Sequence, residues 1–150
     1  MSFAFDAFWT ALKTLEESIA ITSPVAMQVK RAYWGAPAQA VTDLPSVINA
    51  LNASEREFGA GTRDQTLTIN IQLLAARATV EDERSSRIAT EFWFATQDRF
   101  DSDPRIGGTV TWSVLQGASP TVPVILQHAG QAYIGFDAVL TVHIAGAFEF

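Results

Sequence analysis

The chain carries two histidines, His128 and His143, and Asp137 precedes the second at even spacing. An imidazole beside a carboxylate is the usual proton-transfer unit near neutral pH, and neutral imidazole is also a common metal ligand. Either chemistry requires His128, His143 and Asp137 to converge. The sequence places His128 in a turn and His143 on the polar side of an alternating run, where histidines are more often ordinary surface groups. Asp101-Ser102-Asp103 offers oxygen ligands at alternate positions, as calcium loops do, but lacks the further acids and closing Glu of that motif. Glu81-Asp82-Glu83-Arg84 clusters carboxylates where a helix start attracts them for dipole reasons alone. No serine lies in a Gly-x-Ser-x-Gly elbow, and the absence of cysteine removes thiolate catalysis, disulfides and zinc–thiolate sites. These residue types predict no catalytic site, no metal and no cofactor.

A phosphate-binding loop is the remaining candidate, in "GAGTRDQTLTINIQLLA", residues 59–75. Such a loop needs free backbone amides followed by a helix N-terminus. Here Leu67, Ile69, Ile71 and Leu73 instead alternate with Thr66, Thr68, Asn70 and Gln72, a period of two that predicts a strand with one buried face. The Lys-Ser/Thr pair of a phosphate loop is missing as well. Gly59–Gln65 therefore reads as a hairpin tip.

The elements that must position these residues follow from the same periodicities. Phe5, Phe8, Leu12, Leu15 and Ile19 define an amphipathic helix that starts near Asp6 and is stopped by Ser23-Pro24. Residues 25–37 read as extended, closing in a turn at Gly35–Pro37. Residues 44–59 read as a long irregular strand with Val47, Asn49, Leu51 and Ala53 on one side and a bend near Asn52–Ser54. Residues 81–99 form a second helix, with Thr79 and Asp82 as its capping pair and Ile88, Phe92, Ala95 and Phe100 as its buried stripe. Trp93 and Phe94 widen its apolar face beyond what one sheet contact requires. A turn at 101–108 leads to a strand in which Val110, Trp112 and Val114 alternate with Thr109, Thr111 and Ser113. Val124–Gln127 then pairs across an Ala129-Gly130 turn with a last strand whose Ile134, Phe136, Ala138, Leu140, Val142 and Ile144 share a face. The fold class is α+β: an antiparallel sheet with two helices packed on one face and a long hairpin.

The chain has 150 residues, one domain by size, spanning 1–150. Only 17% of it is charged against 48% hydrophobic, so part of its surface is expected to be covered by other protein. A net charge of −6 makes a nucleic-acid duplex a poor binding partner, whereas an acidic ring around a DNA passage would discourage sticking. The opening "MSFAFDAFWTALK" has neither the basic start nor the apolar core of a secretory signal, and no run is long enough to span a membrane.

The order of pieces carries a further signal. An amphipathic helix, "VKRAYWGAP", "LPSVIN", a glycine-containing tip with Thr62-Arg63, "TLTINIQLLA", a second helix and closing strands follow one another over nearly the whole chain. This order resembles the tail-terminator and minor-tail family of long-tailed bacteriophages. The resemblance implies a structural virion protein, assembled in the host cytoplasm, that forms a hexameric ring on the head-proximal end of the tail tube. Such a ring stops tube growth and offers the joining surface for the head. The implied partners are further copies of the chain, the tail tube protein and a head-completion or connector protein, with DNA only passing through the lumen. Head-closure and tail-completion proteins of the same neck region look similar. The contact candidates are Thr62, Arg63, Asp64 and Gln65 at the tip and Trp93 and Phe94 on the second helix. A reading of a different class is a small-ligand carrier or enzyme, with Trp93, Trp112, Tyr133 and Asp137 facing one pocket.

Overall fold

The computed structural model describes residues 3–58, 62–78, 83–119 and 121–149. Its elements are α1 (Phe5–Glu17), β1 (Ala20–Ile21), β2 (Met27–Gln28), β3 (Arg31–Trp34), β4 (Ser46–Phe58), β5 (Thr62–Arg77), α2 (Glu83–Ser102), β6 (Trp112–Gly117), β7 (Val124–His128) and β8 (Gln131–Glu149). The main sheet runs β3-β4-β5-β8-β6, and β7 also pairs with β8. All of its pairs are antiparallel except β3 with β4, which is parallel, while β1 and β2 form a small separate ribbon. The α+β class, the two helices and the long β4–β5 hairpin agree with the sequence reading; the parallel pair is a departure from an all-antiparallel sheet. The connection between β3 and β4, residues 35–45, returns the chain to the end from which β3 started.

The alternation in β5 and β8 sets the core. Leu67, Ile69, Ile71 and Leu73 point to the same face as Phe136, Ala138, Leu140 and Val142. Both helices cover that face: Phe8, Leu12 and Leu15 of α1 and Ile88, Phe92 and Phe100 of α2 belong to the same buried cluster. Three tryptophans also serve this side. Phe5 and Trp9 both meet Trp34 edge-on, with ring centroids 4.9 and 5.5 Å apart, which ties α1 to β3. Trp93 meets Phe136 edge-on at 5.0 Å.

The opposite face has its own small core at one end, made of Val41, Ile48, Leu74, Leu126 and Tyr133. The Tyr133 hydroxyl accepts from Val41 N at 3.0 Å and donates to Val41 O at 3.2 Å, which pins the 35–45 connection over the sheet.

One strand departs from its expected phase, and in another the alternating row faces outward. In β4 the register shifts between Leu51 and Ala53, so Val47 and Asn49 are buried while Ala53 pairs with Thr68 on the outer face. The expected row of Val47, Asn49, Leu51 and Ala53 is therefore broken by a bulge, which is the bend anticipated near Asn52–Ser54. In β6, Trp112 and Val114 lie on the outer face, 42% and 45% exposed, because their register partners are His143 and Thr141 rather than the core side of β8. Val110, one turn earlier, is buried, but it precedes the strand. The helix stripe holds with one exchange: Thr96 joins Ile88, Ala89, Phe92 and Phe100 in full burial, while Ala95 is half-buried. The proposed capping pair Thr79 and Asp82 lies outside the described residues.

Two backbone positions are tightly constrained. Ala129 and Gly130 have φ of 49° and 76° between the paired residues His128 and Gln131, the two left-handed positions that a two-residue hairpin turn demands. At Gly135, a Cβ would lie 1.8 Å from Leu73 O, because β5 bulges toward β8 between Leu74 and Ala76. Gly135→Ala is expected to remove more than about 3 kcal/mol of stability in urea unfolding; a loss below about 1 kcal/mol would show that the two strands can part locally. Ala129→Asn relieves the left-handed strain of a Cβ residue and is expected to add about 1 kcal/mol. A lower unfolding midpoint in that variant would contradict the turn assignment.

Candidate functional site

The residues that could do chemistry are held apart. His128 ends β7 opposite Gln131, and its Nε2 lies 3.1 Å from Gln39 O. His143 sits far along β8 on the outer face, stacked on Trp112 with ring centroids 5.2 Å apart and an interplanar angle of 15°. The extended run from Gln131 to His143 covers about 40 Å, and Asp137, although on the same face as His143, is about 20 Å from it. No proton relay or shared metal fits that geometry, and no cluster of three or more His, Asp or Glu suited to a metal occurs among the described residues.

Asp101-Ser102-Asp103 is the end of a helix. Asp103 Oδ2 accepts from Gly107 N at 2.9 Å and caps the turn after α2, while Ser102 Oγ donates to Arg99 O at 2.7 Å. Of the four residues of the carrier reading, Trp112, Tyr133 and Asp137 share the outer face, spread along β6 and β8, and Trp93 does not. Trp93 is on the helix-covered side, whereas Trp112 and Tyr133 lie on the opposite face, with Tyr133 fully buried. A cleft of about 600 Å³ runs between α1 and the turn after α2, lined by Asp6, Thr10, Thr14, Arg99 and Asp103 among others. Several of its polar groups are already engaged: Thr10 and Thr14 donate to Asp6 O and Thr10 O, and Arg99 donates to Ser18 Oγ and Ser102 Oγ.

The phosphate-loop question is answered by the strand that follows the glycines. β5 starts at Thr62, and Arg63, Asp64 and Gln65 pair with Phe58, Glu57 and Arg56. The hairpin tip is thus shorter than Gly59–Gln65; Gly59, Ala60 and Gly61 themselves lie outside the described residues, as do the side chains of Thr62 and Arg63. Asp64 Oδ1 accepts from Gly146 N at 2.8 Å, where β8 turns through a left-handed glycine. Gln65 is buried and donates to Ser54 Oγ at 2.8 Å. Two of the four tip candidates are therefore spent inside the chain. On α2, Trp93 packs on Phe136, while Phe94 is 57% exposed.

What the fold does present is a pair of sheet edges. β3 covers β4 only at Ser46–Asn49, so Ala50–Glu55 has no strand neighbour on the side away from β5 among the described residues. At the far side β6 pairs, among the described residues, only with β8. These two stretches are level with each other. Glu55, Thr66, His143 and Trp112 form one row across the sheet, Ala53, Thr68, Thr141 and Val114 the next, and Ala50, Asn70, Val139 and Gln116 a third. Of these outer-face residues only Glu55 is acidic, and none is Lys or Arg.

Sequence reasoning missed one buried polar pair. Glu16 of α1 and Asn49 of β4 are both fully buried, and Asn49 Nδ2 donates to Glu16 Oε1 at 2.7 Å. Burial pushes the Glu16 carboxyl up to about 8; the Asn49 hydrogen bond opposes the shift and the neighbouring Glu17 adds to it. The signal was present, since Glu16 shares the stripe of Leu12, Leu15 and Ile19, and Asn49 shares that of Val47.

Asp64→Ala is expected to cost about 1 kcal/mol by removing a charge-assisted hydrogen bond, and to speed amide exchange at Gly146. Unchanged exchange there would show that Asp64 is available for an external contact. No protein-family model matches the chain, and no curated protein matches it.

Proposed function

We propose that this chain is a non-enzymatic assembly protein of a long-tailed phage virion, forming a hexameric ring that ends the tail tube at its head-proximal side. The hexamer, the tube and head-completion partners, and the passage of DNA through the lumen come from the resemblance in element order. The observation that carries the ring is the pair of level sheet edges. Strand directions alternate from β4 through β5 and β8 to β6, so β6 of one copy beside β4 of the next is again antiparallel. Such a contact joins two different surfaces head to tail, which closes into a ring when the rotation fits. Because the free stretches lie in the same rows, the contact introduces no axial stagger, which favours a flat ring over a helical filament. Unpaired strand edges are otherwise an aggregation hazard, and pairing with a neighbour removes it.

Phe94 fits the same reading as a helix-flank contact. A large aromatic side chain desolvated at an interface commonly carries about 2 kcal/mol or more. Termination then needs no chemistry: the ring occupies the growing end and presents a face to which no further tube subunit binds. No helix among the described residues is long and apolar enough to cross a membrane, which is compatible with a virion location.

Two exposed substitutions test this. Ala53→Lys places a long cation on the β4 edge, and Phe94→Glu charges the helix flank. Both are expected to change monomer stability by no more than about 0.5 kcal/mol, and both should abolish rings in electron micrographs and tube capping in assembly reactions. Sedimentation of the unaltered chain is expected at several-fold its 16.3 kDa mass. Intact rings in both variants would overturn the edge assignment, and saturable catalytic turnover lost on replacing His143 and Asp137 would overturn the non-enzymatic reading.

A further inference from the structure

We infer that Glu16 and Asn49 form a reciprocal carboxylic acid–amide pair, a proton-held latch that docks α1 on β4 and loosens when the proton leaves. Asn49 Nδ2 uses both of its hydrogens, one to Glu16 Oε1 at 2.7 Å and one to Tyr33 O at 3.1 Å. That leaves two buried oxygens, Glu16 Oε2 and Asn49 Oδ1, with no hydrogen-bond partner. Both are acceptors if Glu16 is ionised, and neither can serve the other. One proton on Oε2 makes it a donor toward Oδ1, so the same proton satisfies both orphans and removes a buried charge.

The surroundings favour the neutral form. On α1 the adjacent Glu17 adds negative charge, and its own Oε2 accepts from Ala32 N of β3 at 3.1 Å. On β3 the Arg31 guanidinium is placed over the Tyr33 ring, 4.6 Å from its centroid. On α2 Arg99 is hydrogen-bonded to Ser18 and Ser102. β4 contributes the amide of Asn49 and no charge at this point. Among the described residues, no cation is hydrogen-bonded to Glu16.

The sign of the pH effect follows. An acid whose folded value is raised from 4.5 to about 8 binds more protons folded than unfolded between those values. Its contribution is complete below 4.5, declines as pH rises, and is lost above about 8. Glu16→Gln reproduces the protonated form, because its amide donates to Asn49 Oδ1 and its carbonyl accepts from Asn49 Nδ2.

Urea-unfolding midpoints and amide protection factors in α1 are measured across this range for the unaltered chain and for Glu16→Gln. The unaltered chain is expected to lose midpoint and α1 protection as pH rises toward about 8, and Glu16→Gln to lose neither, becoming the more stable of the two above that value. Equal pH sensitivity in both proteins would overturn the latch. So would a carboxylate, rather than carboxylic acid, infrared band for Glu16 in isotope-edited spectra at neutral pH, a readout on the unaltered protein that does not depend on the variant folding.

Discussion

The β5–β8 ladder is the constraint on which the rest of the structure hangs. It runs from Thr62 opposite Glu149 to Arg77 opposite Tyr133, and both of its strands lie inside the sheet, β5 beside β4 and β8 beside β6 and β7. With side chains alternating at every residue, its register decides that Ile69, Ile71, Leu73, Phe136 and Leu140 face the helices. A slip by one residue would turn Thr68, Asn70 and Gln72 inward and leave α1 and α2 without a partner surface. The ladder is locked at one end by Gly135, where no Cβ fits, and at the other by Asp64 holding Gly146.

From that register the two faces acquire different roles. The inner face is closed by both helices and by the aromatic contacts of Trp34 and Trp93. Among the described residues the outer face has a buried cluster where Tyr133 and Val41 sit, and the three rows beyond it present Thr, Asn, Gln, Val, Ala, Trp112 and His143, with Glu55 as their one acid. The same ladder sets β4 and β6 level on opposite sides, since each takes its height from a strand of the pair. The proposed assembly role thus depends on the central ladder as much as the core does, because the ladder fixes the vertical match of the edges.

How much of this could be read beforehand depends on burial. β5 and β8 were legible because both are flanked on each side by strands, and their alternation holds over Leu67–Leu73 and Phe136–Ile144. The Ala129-Gly130 turn was legible from its position between two apolar runs. β6 keeps its alternation, but which face its row of Trp112 and Val114 takes was not legible, because an edge strand feels the core weakly; the row faces outward, where Trp112 stacks on His143. The β4 bulge falls where a bend was expected, near Asn52–Ser54, but the turning of Ala53 to the other face was not read from the alternation. Hairpin-tip residues looked free because sequence shows no cross-strand partner, yet Asp64 finds one at Gly146. Glu16 was hidden for the opposite reason: a carboxyl on a helix reads as solvent-facing unless its stripe is checked against Leu12 and Ile19.

The central claim is that the uncovered side of β4 is completed by a second copy of the chain. Residue-resolved hydrogen exchange, compared between the free chain and the same chain capping tubes, addresses it directly. The account predicts that outward amides within Ala50–Glu55 and within Trp112–Gly117 become protected together on assembly, as expected of two strands that pair. Assembled particles in which both stretches exchange as fast as in the free chain would contradict it.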